Sequence, residues 1–319
     1  MRAVRAYTAL VCAAGSWGVA TATAKYAVGP LGAFTTLIIE LATAVAVLWP
    51  AVWLRREKRS VPLRRYLLLG FVEPVVTFGA LDLGLQRTSA ADASLLDGLQ
   101  SCFVLVLGLL LLKEAVKRRA VLGVLVATVG GALLAGAHFT PRAALGDGLV
   151  LIGSLAASWS VILVSRLAEQ ASALEMTAYQ FGVGFVFTLP LAVIVWSTGA
   201  EPLPTARDLP YVAAAAGIGL IGFGAAYLLY NYAVAQVPVG VAGMALNLIP
   251  LFGVGTAVLF LSERLNAWEV AGGVLIVAGV AMFPYEAKDP VAVDGDQDPE
   301  PDPDPARPAL TAGERAASL

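Results

Sequence analysis

Apolar residues fill most of the chain in long runs, and short polar segments separate these runs. A helix that crosses about 30 Å of hydrocarbon needs about 20 residues, and ten of the runs are close to this length. The pattern predicts an all-α polytopic membrane protein. Its ten transmembrane helices are expected at residues 5–25, 31–53, 65–86, 90–112, 118–138, 146–167, 173–196, 209–232, 238–261 and 266–285.

The composition agrees with this pattern, because 58% of the residues are apolar and only 14% are charged. Soluble domains average about 45–50% apolar and about 25% charged residues, so a soluble protein is excluded. Arg2 and Arg5 precede a first apolar run that ends in "ATATA", which leaves a cleaved signal peptide as an alternative. We expect a membrane span instead, because Trp17 in "GSWGVA" has a counterpart later in the chain, Trp159 in "ASWSVI".

Basic residues predict the orientation of the helices, since cytoplasmic loops of membrane proteins are rich in Lys and Arg. They cluster after the second and fourth predicted helices, at Arg55, Arg56, Lys58, Arg59, Arg64, Arg65, Lys113, Lys117, Arg118 and Arg119. We therefore expect a multi-pass protein of the cell (cytoplasmic) membrane with both termini in the cytoplasm. The C-terminal segment 286–319 contains "DPEPDPDPARP" and is predicted to be a disordered acidic tail.

The two halves of the chain resemble each other. Residues 87–114 align without a gap with residues 236–263, which puts Glu114 over Glu263. Each half, 1–141 and 142–285, contains five predicted helices, and this odd number inserts the second half into the membrane with the opposite orientation. Inverted repeats of this kind are typical of secondary transporters, which bind their substrate near the midplane between the halves.

Three motifs resemble the EamA-type family of the drug/metabolite transporter superfamily: the Trp-Gly of the first helix, "TSAADASLL", and "NLIPLFGVGTAVLFLSERLNAWEVAGGVLIVAGV" at 247–280. The resemblance implies a ten-helix fold that moves small metabolites, often amino acids or related compounds. Two positions depart from the family pattern. Ser101 stands where the family usually has Pro, and Glu40 stands where many members have Arg.

Three carboxylates fall deep within predicted helices, namely Glu40, Glu73 and Asp97. At a rise of about 1.5 Å per residue they lie about 10–13 Å from the nearest membrane edge, where a charge costs about 2.5–3.5 kcal/mol. One interpretation is that each is protonated and hydrogen-bonded within the bundle. Three acids at similar depth favour a shared polar cavity instead. Asp82 and Asp92, close to helix ends, are expected at the outer interface.

Other polar and aromatic side chains are candidates for the same cavity. Gln100 and Ser101 share one helix face with Asp97, and Pro74 is expected to distort the third helix next to Glu73. The remaining candidates for substrate binding or coupling are Trp17, Trp159, Tyr179, Gln180, Tyr227, Asn231 and Asn247. For the two tryptophans, packing of helices is the alternative role.

These features favour a secondary transporter of an amino-acid-like, cationic or amphiphilic metabolite that works by alternating access, with proton coupling as an extension. The family resemblance implies an exporter. A non-transporting receptor or scaffold and an intramembrane enzyme are the alternatives, and "GALD" lacks the motif of intramembrane aspartyl proteases. A nucleotide-binding "GxxxxGK[ST]" is absent, and the single histidine, His138, provides no basis for a metal site. The expected partners are a small-molecule substrate and the lipid bilayer, without cofactor, metal or nucleic acid. The sequence leaves open whether the chain forms a homo-oligomer.

Overall fold

The computed structural model describes residues 2–112, 118–137, 140–236, 245–246 and 248–282, and the regular elements in these ranges are helical. The helices are α1 (Arg2–Leu31), α2 (Ala33–Leu54), α3 (Leu63–Leu85), α4 (Ala90–Asp97 and Gln100–Leu112), α5 (Arg118–Ala137), α6 (Pro141–Leu167), α7 (Ala173–Ser197), α8 (Leu209–Ile218, Gly219–Ala226 and Tyr227–Val234), α9 (Ile249–Phe260) and α10 (Ala267–Ala281). The predicted all-α polytopic fold is confirmed.

Six helical stretches of the described chain are long and apolar enough to cross a membrane: Ala33–Leu54, Leu63–Leu85, Ala90–Gly108, Pro141–Leu167, Ala173–Ser197 and Ala206–Val234. Among the helices whose two ends the structure describes, the predicted bounds differ most at α1, which continues to Leu31. Gly32 alone then reverses the chain, with φ of 91°, a value that glycine adopts without steric cost. The expected residues 238–244 and 283–285, Glu114, His138 and the tail 286–319 lie outside the described residues.

Short polar residues begin several helices as the sequence chemistry requires. Ser89, Thr140 and Ser172 each precede a helix, and their hydroxyls accept hydrogen bonds from backbone amides at 2.9, 3.1 and 3.1 Å. Such side chains satisfy amide groups that the first turn of a helix leaves without a partner. The starts of α4, α6 and α7 are therefore determined locally.

The helices pack in matched sets. Helices α2, α4 and α5 pack against their counterparts α7, α9 and α10. Helix α1 packs against α8 and α9, and its counterpart α6 packs against α3 and α4. This pairing is what a two-fold relation between inverted five-helix repeats produces, and glycines allow the close contacts. For example, a Cβ atom at Gly18 of α1 would lie 2.7 Å from the backbone nitrogen of Gly253 in α9.

The third helix of each half is irregular at the same place. In α3 the segment Phe71–Val76 is kinked, because the φ and ψ angles of Glu73 are not helical, and in α8 the segment Gly219–Ala226 is a π-helix. Helix α4 is interrupted at Gly98 and Leu99. π-Segments inside helices occur frequently at functional sites, and broken helices in transporters surround the substrate site.

Candidate functional site

A cavity lies at the irregular segments of α3, α4 and α8, enclosed by α1, α2, α6 and α9 as well. Its free space for water-sized molecules is about 80 Å³, and a single water needs about 10–15 Å³ of such space. The lining residues that carry polar or aromatic side chains are Trp17, Thr21, Glu40, Glu73, Thr77, Phe78, Asp82, Asp97, Gln100, Ser160, Phe223, Tyr227, Tyr230 and Asn231.

Glu73 is the most heavily hydrogen-bonded carboxylate of this cavity. The Tyr227 hydroxyl donates to Glu73 Oε1 at 2.5 Å. The Ser160 hydroxyl and the Gln180 amide, the latter at 3.3 Å, both donate to Oε2. The donors come from α8, α6 and α7, so three helices of the second half hold one carboxylate of the first half. Charge-assisted hydrogen bonds of this kind fix the position of a carboxylate and stabilise its negative charge.

The local backbone of α3 turns Glu73 into the cavity. Pro74 has no backbone N–H and interrupts the regular hydrogen bonding of a helix, and Glu73 itself has φ of −136° and ψ of 113°. The Val72 carbonyl accepts a hydrogen bond from the Thr77 hydroxyl at 3.1 Å. Gly184 of α7 leaves room for the Pro74 ring, which a Cβ atom there would overlap. The distortion predicted next to Glu73 is therefore present, and the Thr77 hydroxyl satisfies the Val72 carbonyl beside it.

Asp97 ends the first segment of α4, directly before the interruption at Gly98. Its Oδ1 accepts a hydrogen bond from the Ser154 hydroxyl of α6 at 2.7 Å. A Cβ atom at Gly98 would lie 2.7 Å from the Pro250 ring of α9, so the interruption lies against α9. Asp97 therefore lines the cavity at the interruption between the two segments of α4.

Glu40 and Asp82 line another part of the cavity and are almost completely buried, with 2% and 1% of their surface exposed. The expectation that Asp82 lies at the outer interface was wrong. Helical side chains lean toward the N-terminus of their own helix, so Asp82, near the end of α3, leans back into the bundle. Asp92, in the first turn of α4, does line a charged pocket at the end of the bundle, together with Arg87 and Glu263.

Aromatic rings form one wall of the cavity. The Trp17 ring makes edge-on contacts with Tyr227 and Tyr230 at centroid distances of 4.9 and 5.2 Å, and its Nε1 donates to the Gly222 carbonyl at 3.1 Å. Phe223 also lines the cavity, and Phe181 stacks on it from behind at 5.0 Å. Trp17 therefore both packs between helices and lines the cavity, which combines the two roles considered from the sequence.

Several predicted residues lie elsewhere. Tyr179 stacks on Tyr66 at 5.0 Å, away from the cavity lining, and Trp159 is 46% exposed on the outside of the bundle. Gln180 and Ser101 are buried behind the lining, where Gln180 contacts Glu73. Asn247 lies outside the described residues. The structure thus brings together Glu40, Glu73, Asp97, Gln100, Trp17, Tyr227 and Asn231, whose part in binding or coupling stays a prediction.

Sequence reasoning did not place Asp82 and Ser160 in the cavity. Asp82 was assigned to the interface, and Ser160 was not among the candidates, whereas Tyr230 was considered beside Tyr227 as a lower-ranked candidate. Ser160 follows Trp159 within the repeated "ASWSVI" motif, and this was an available signal. Tyr230 lies one helical turn after Tyr227, the spacing that puts two side chains on one face. Asn231 also lines the cavity, and its amide donates to Thr177 at 2.9 Å.

The charge of the cavity is one-sided. Its described lining contains four carboxyl groups and neither Lys nor Arg. Among the described residues, groups of three or more His, Cys, Asp or Glu side chains that could hold a metal ion do not occur. Buried carboxylates require a compensating positive charge or a proton. The site can therefore accept a cation, either as an organic ammonium group or as a proton.

Comparison with known proteins agrees with this architecture. A crystal structure with 18% sequence identity superposes with a TM-score of 0.64, covering 87% of this chain and 95% of the other. The chain is 26% identical over 215 residues to "Uncharacterized transporter YetK" of Bacillus subtilis, covering 66% of this chain and 64% of that protein. It is 26% identical over 203 residues to "Probable terminal-alkyne amino-acid exporter" of Streptantibioticus cattleyicolor, covering 63% and 66%.

The matched segments span less than two thirds of the length of either relative. A sequence profile of the EamA-like transporter family matches this chain twice, at residues 4–136 and at residues 144–284. The two matches together cover most of the chain, and the relatives are named as transporters. The chain therefore belongs to the EamA-like transporter family.

Proposed function

We propose that the protein exports a small organic solute with a positively charged nitrogen, an amino-acid-like compound or another amine, across the cytoplasmic membrane. The observation that carries this proposal is the charge of the cavity, which has four carboxyl groups and, in its described lining, no basic side chain. An ammonium group offsets the desolvation of buried carboxylates, whereas an anionic solute would add to it. A polar cation is thus the solute that such a lining favours.

Glu73 is the proposed anchor for the ammonium group. Its donors Tyr227, Ser160 and Gln180 stabilise the negative charge, and a carboxylate oxygen has room for further acceptor contacts. The rings of Trp17 and Tyr227 line the same space. A cation over an aromatic face gains about 0.5–2 kcal/mol, depending on its solvation. The aromatic rings and the Glu73 carboxylate would therefore both stabilise the ammonium group of the solute.

Alternating access is the proposed mechanism, in which the repeats 1–141 and 142–285 rock against each other around the cavity. Carboxylates of the first repeat and hydrogen-bond donors of the second meet there, so a rocking motion would change the site directly. The exposed basic residues at 55–59 support cytoplasmic termini. The relative named as an amino-acid exporter supports export and the amine class of solute.

The test compares solutes in the medium of cells that express the wild type or Glu73→Gln at equal membrane abundance. Glu169→Gln is the matched control, because Glu169 is an exposed carboxylate between α6 and α7. We expect one or more amines to be enriched outside with the wild type and with Glu169→Gln, and the enrichment to be lost with Glu73→Gln. Uptake of the identified compound into proteoliposomes then checks that the protein alone transports it.

Two results would contradict the proposal. One is enrichment of an organic anion instead of an amine, which the acidic cavity disfavours. The other is unchanged export by Glu73→Gln, which would remove Glu73 from the solute site.

A further inference from the structure

Two carboxyl groups of the cavity have oxygens without a hydrogen-bond donor among the described residues. These oxygens are Glu40 Oε1 and Asp82 Oδ2. Both side chains are more than nine-tenths buried and both line the cavity. Glu73, by contrast, receives three hydrogen bonds, and Asp97 receives one from Ser154. The four acids of the cavity therefore form two sets. Glu73 and Asp97 receive hydrogen bonds from side chains, whereas Glu40 and Asp82 each have an oxygen without a donor.

The fold directs Glu40 and Asp82 toward each other. Helices α2 and α3 run antiparallel, so α2 begins near the end of the bundle where α3 ends. Side chains lean toward the N-terminus of their helix, so Glu40 leans toward that end and Asp82 leans away from it. The two carboxyl groups thereby line one cavity.

Helix α8 closes this region from the side. A Cβ atom at Gly219 would overlap the Glu40 carbonyl and the Thr43 side chain, so the π-segment of α8 lies directly on the backbone of α2. The unpaired oxygens of Glu40 and Asp82 are themselves buried. Two negative charges in such surroundings would repel each other at low dielectric, without donors to offset their desolvation.

The neighbouring charged groups are already engaged. Lys25 of α1 donates to the Leu85 and Thr88 carbonyls, both at 2.6 Å. Glu201, before α8, accepts hydrogen bonds from the start of α2. Asp147 of α6 accepts one from Thr88 at 2.7 Å.

The remaining titratable groups that face this part of the cavity are acids and phenols: Glu73, Asp97, Tyr227 and Tyr230. On α7, Glu175 is bonded to Ser60 and Tyr66, away from the cavity lining. A basic side chain that neutralises Glu40 or Asp82 is therefore absent from the described surroundings. A proton neutralises the pair in the least space, because one proton shared by two carboxyls removes one charge and supplies one hydrogen bond.

We propose that Glu40 and Asp82 form a proton-binding site, separate from Glu73, at which one proton is held between the two carboxyl groups. Its part in transport rests on the function proposed above: the proton enters from the outer side, binds to the pair, and leaves to the cytoplasm while the solute moves outward. Glu73 keeps its charge for the solute, and the pair exchanges protons.

The proton site is tested without any solute. The protein in lipid nanodiscs is titrated with acid and base, and infrared difference spectra follow the C=O absorption of protonated carboxyl groups. We expect one acid band to be lost in Glu40→Gln and, as a second variant, in Asp82→Asn. The same band is expected to remain in Glu73→Gln and in the exposed control Glu169→Gln.

A spectrum unchanged in both Glu40→Gln and Asp82→Asn would overturn the proposal. So would a band that added Na⁺ abolishes at constant pH, because the pair would then hold a metal cation.

Coupling is tested in proteoliposomes with the solute found by the export experiment. The ratio of proton-gradient-driven transport to gradient-free exchange should fall at least tenfold in Glu40→Gln relative to the wild type, and an unchanged ratio would overturn the coupling role. If the wild type exchanges no solute while the acid band responds as expected, the proposed function fails and the proton site stands.

Discussion

Glu201, in the segment between α7 and α8, accepts hydrogen bonds from the backbone amide and the hydroxyl of Thr35 at 2.7 and 2.8 Å. Its second oxygen accepts from the Phe34 amide at 3.0 Å. The carboxylate thus caps the N-terminus of α2, where free amides and the helix dipole favour a negative charge. The acid belongs to the second half of the chain and the helix to the first, so this contact joins the two repeats.

Two other glutamates of the second half make the same kind of contact. Glu263 accepts from the amides of Ala90 and Ala91, at 3.0 and 2.9 Å, at the start of α4. Glu175 accepts from the Ser60 amide at 2.8 Å and from the Tyr66 hydroxyl at 2.8 Å. Carboxylates of one half therefore hold backbone amides of the other half at both ends of the bundle.

Replacing Glu201 tests the energy of this contact. Glu201→Gln removes the charge and one of the two acceptor oxygens from three buried or half-buried donors. We expect the free energy of unfolding to fall by about 1.5–3 kcal/mol, the range for hydrogen bonds to charged groups. Denaturant unfolding in detergent micelles measures it, with the exposed Glu169→Gln as control. Equal stability of the two variants would contradict the prediction.

Tyr227 and Tyr230 provide a matched pair for the solute site. Both rings line the cavity, but the Tyr227 hydroxyl donates to Glu73 at 2.5 Å, whereas the Tyr230 hydroxyl has no partner among the described residues. Removing a hydrogen bond to a charged group costs about 1.5–3 kcal/mol. Tyr227→Phe should therefore lower transport efficiency at least about tenfold, and Tyr230→Phe should change it little. Equal effects in initial-rate measurements would argue against Glu73 as the anchor.

Helix packing at Glu73 is tested by adding one methyl group. Gly184→Ala would overlap the Pro74 ring, whereas Gly148 of α6 has nothing within 4 Å of a new Cβ atom. Overpacking costs about 1–3 kcal/mol, so Gly184→Ala should displace the segment that carries Glu73 and reduce transport. Gly148→Ala should retain transport and melting temperature. Full transport by Gly184→Ala would show that the cavity tolerates movement of α3.

The sequence predicted the helices well, because a membrane requires a long apolar run for each span. It did not predict the position of Asp82. On a regular helix of about 3.6 residues per turn, Glu73 and Asp82 point to opposite sides, so only one of them would face a cavity. The kink that the sequence predicts next to Pro74 changes this relation, but the direction of the change depends on contacts with α6, α7 and α8 that periodicity does not contain.

The aromatic residues illustrate the same limit. Trp17 and Trp159 correspond in the repeat, yet Trp17 lines the cavity and Trp159 is 46% exposed on the outside. Equivalent positions in two repeats share a backbone environment but not the side chains around them. For example, Trp17 contacts Tyr227 and Tyr230 of α8. Repeat symmetry therefore predicts helices better than it predicts cavity walls.

The inter-repeat glutamates also predict which side of the transporter opens. With cytoplasmic termini, Glu201 lies at the outer end and Glu175 at the inner end, so loss of either weakens closure at its own end. Glu201→Gln should raise the labelling of a cysteine introduced at Leu81 about tenfold from outside, and Glu175→Gln should raise it from inside. The expected size follows because about 1.4 kcal/mol shifts the equilibrium between the closed and open states tenfold. A membrane-impermeant thiol reagent on intact cells and inverted vesicles, with Cys12 and Cys102 replaced, measures both. Identical labelling of the two variants from each side would mean that these contacts stabilise the fold without controlling access, and reversed labelling would invert the proposed orientation.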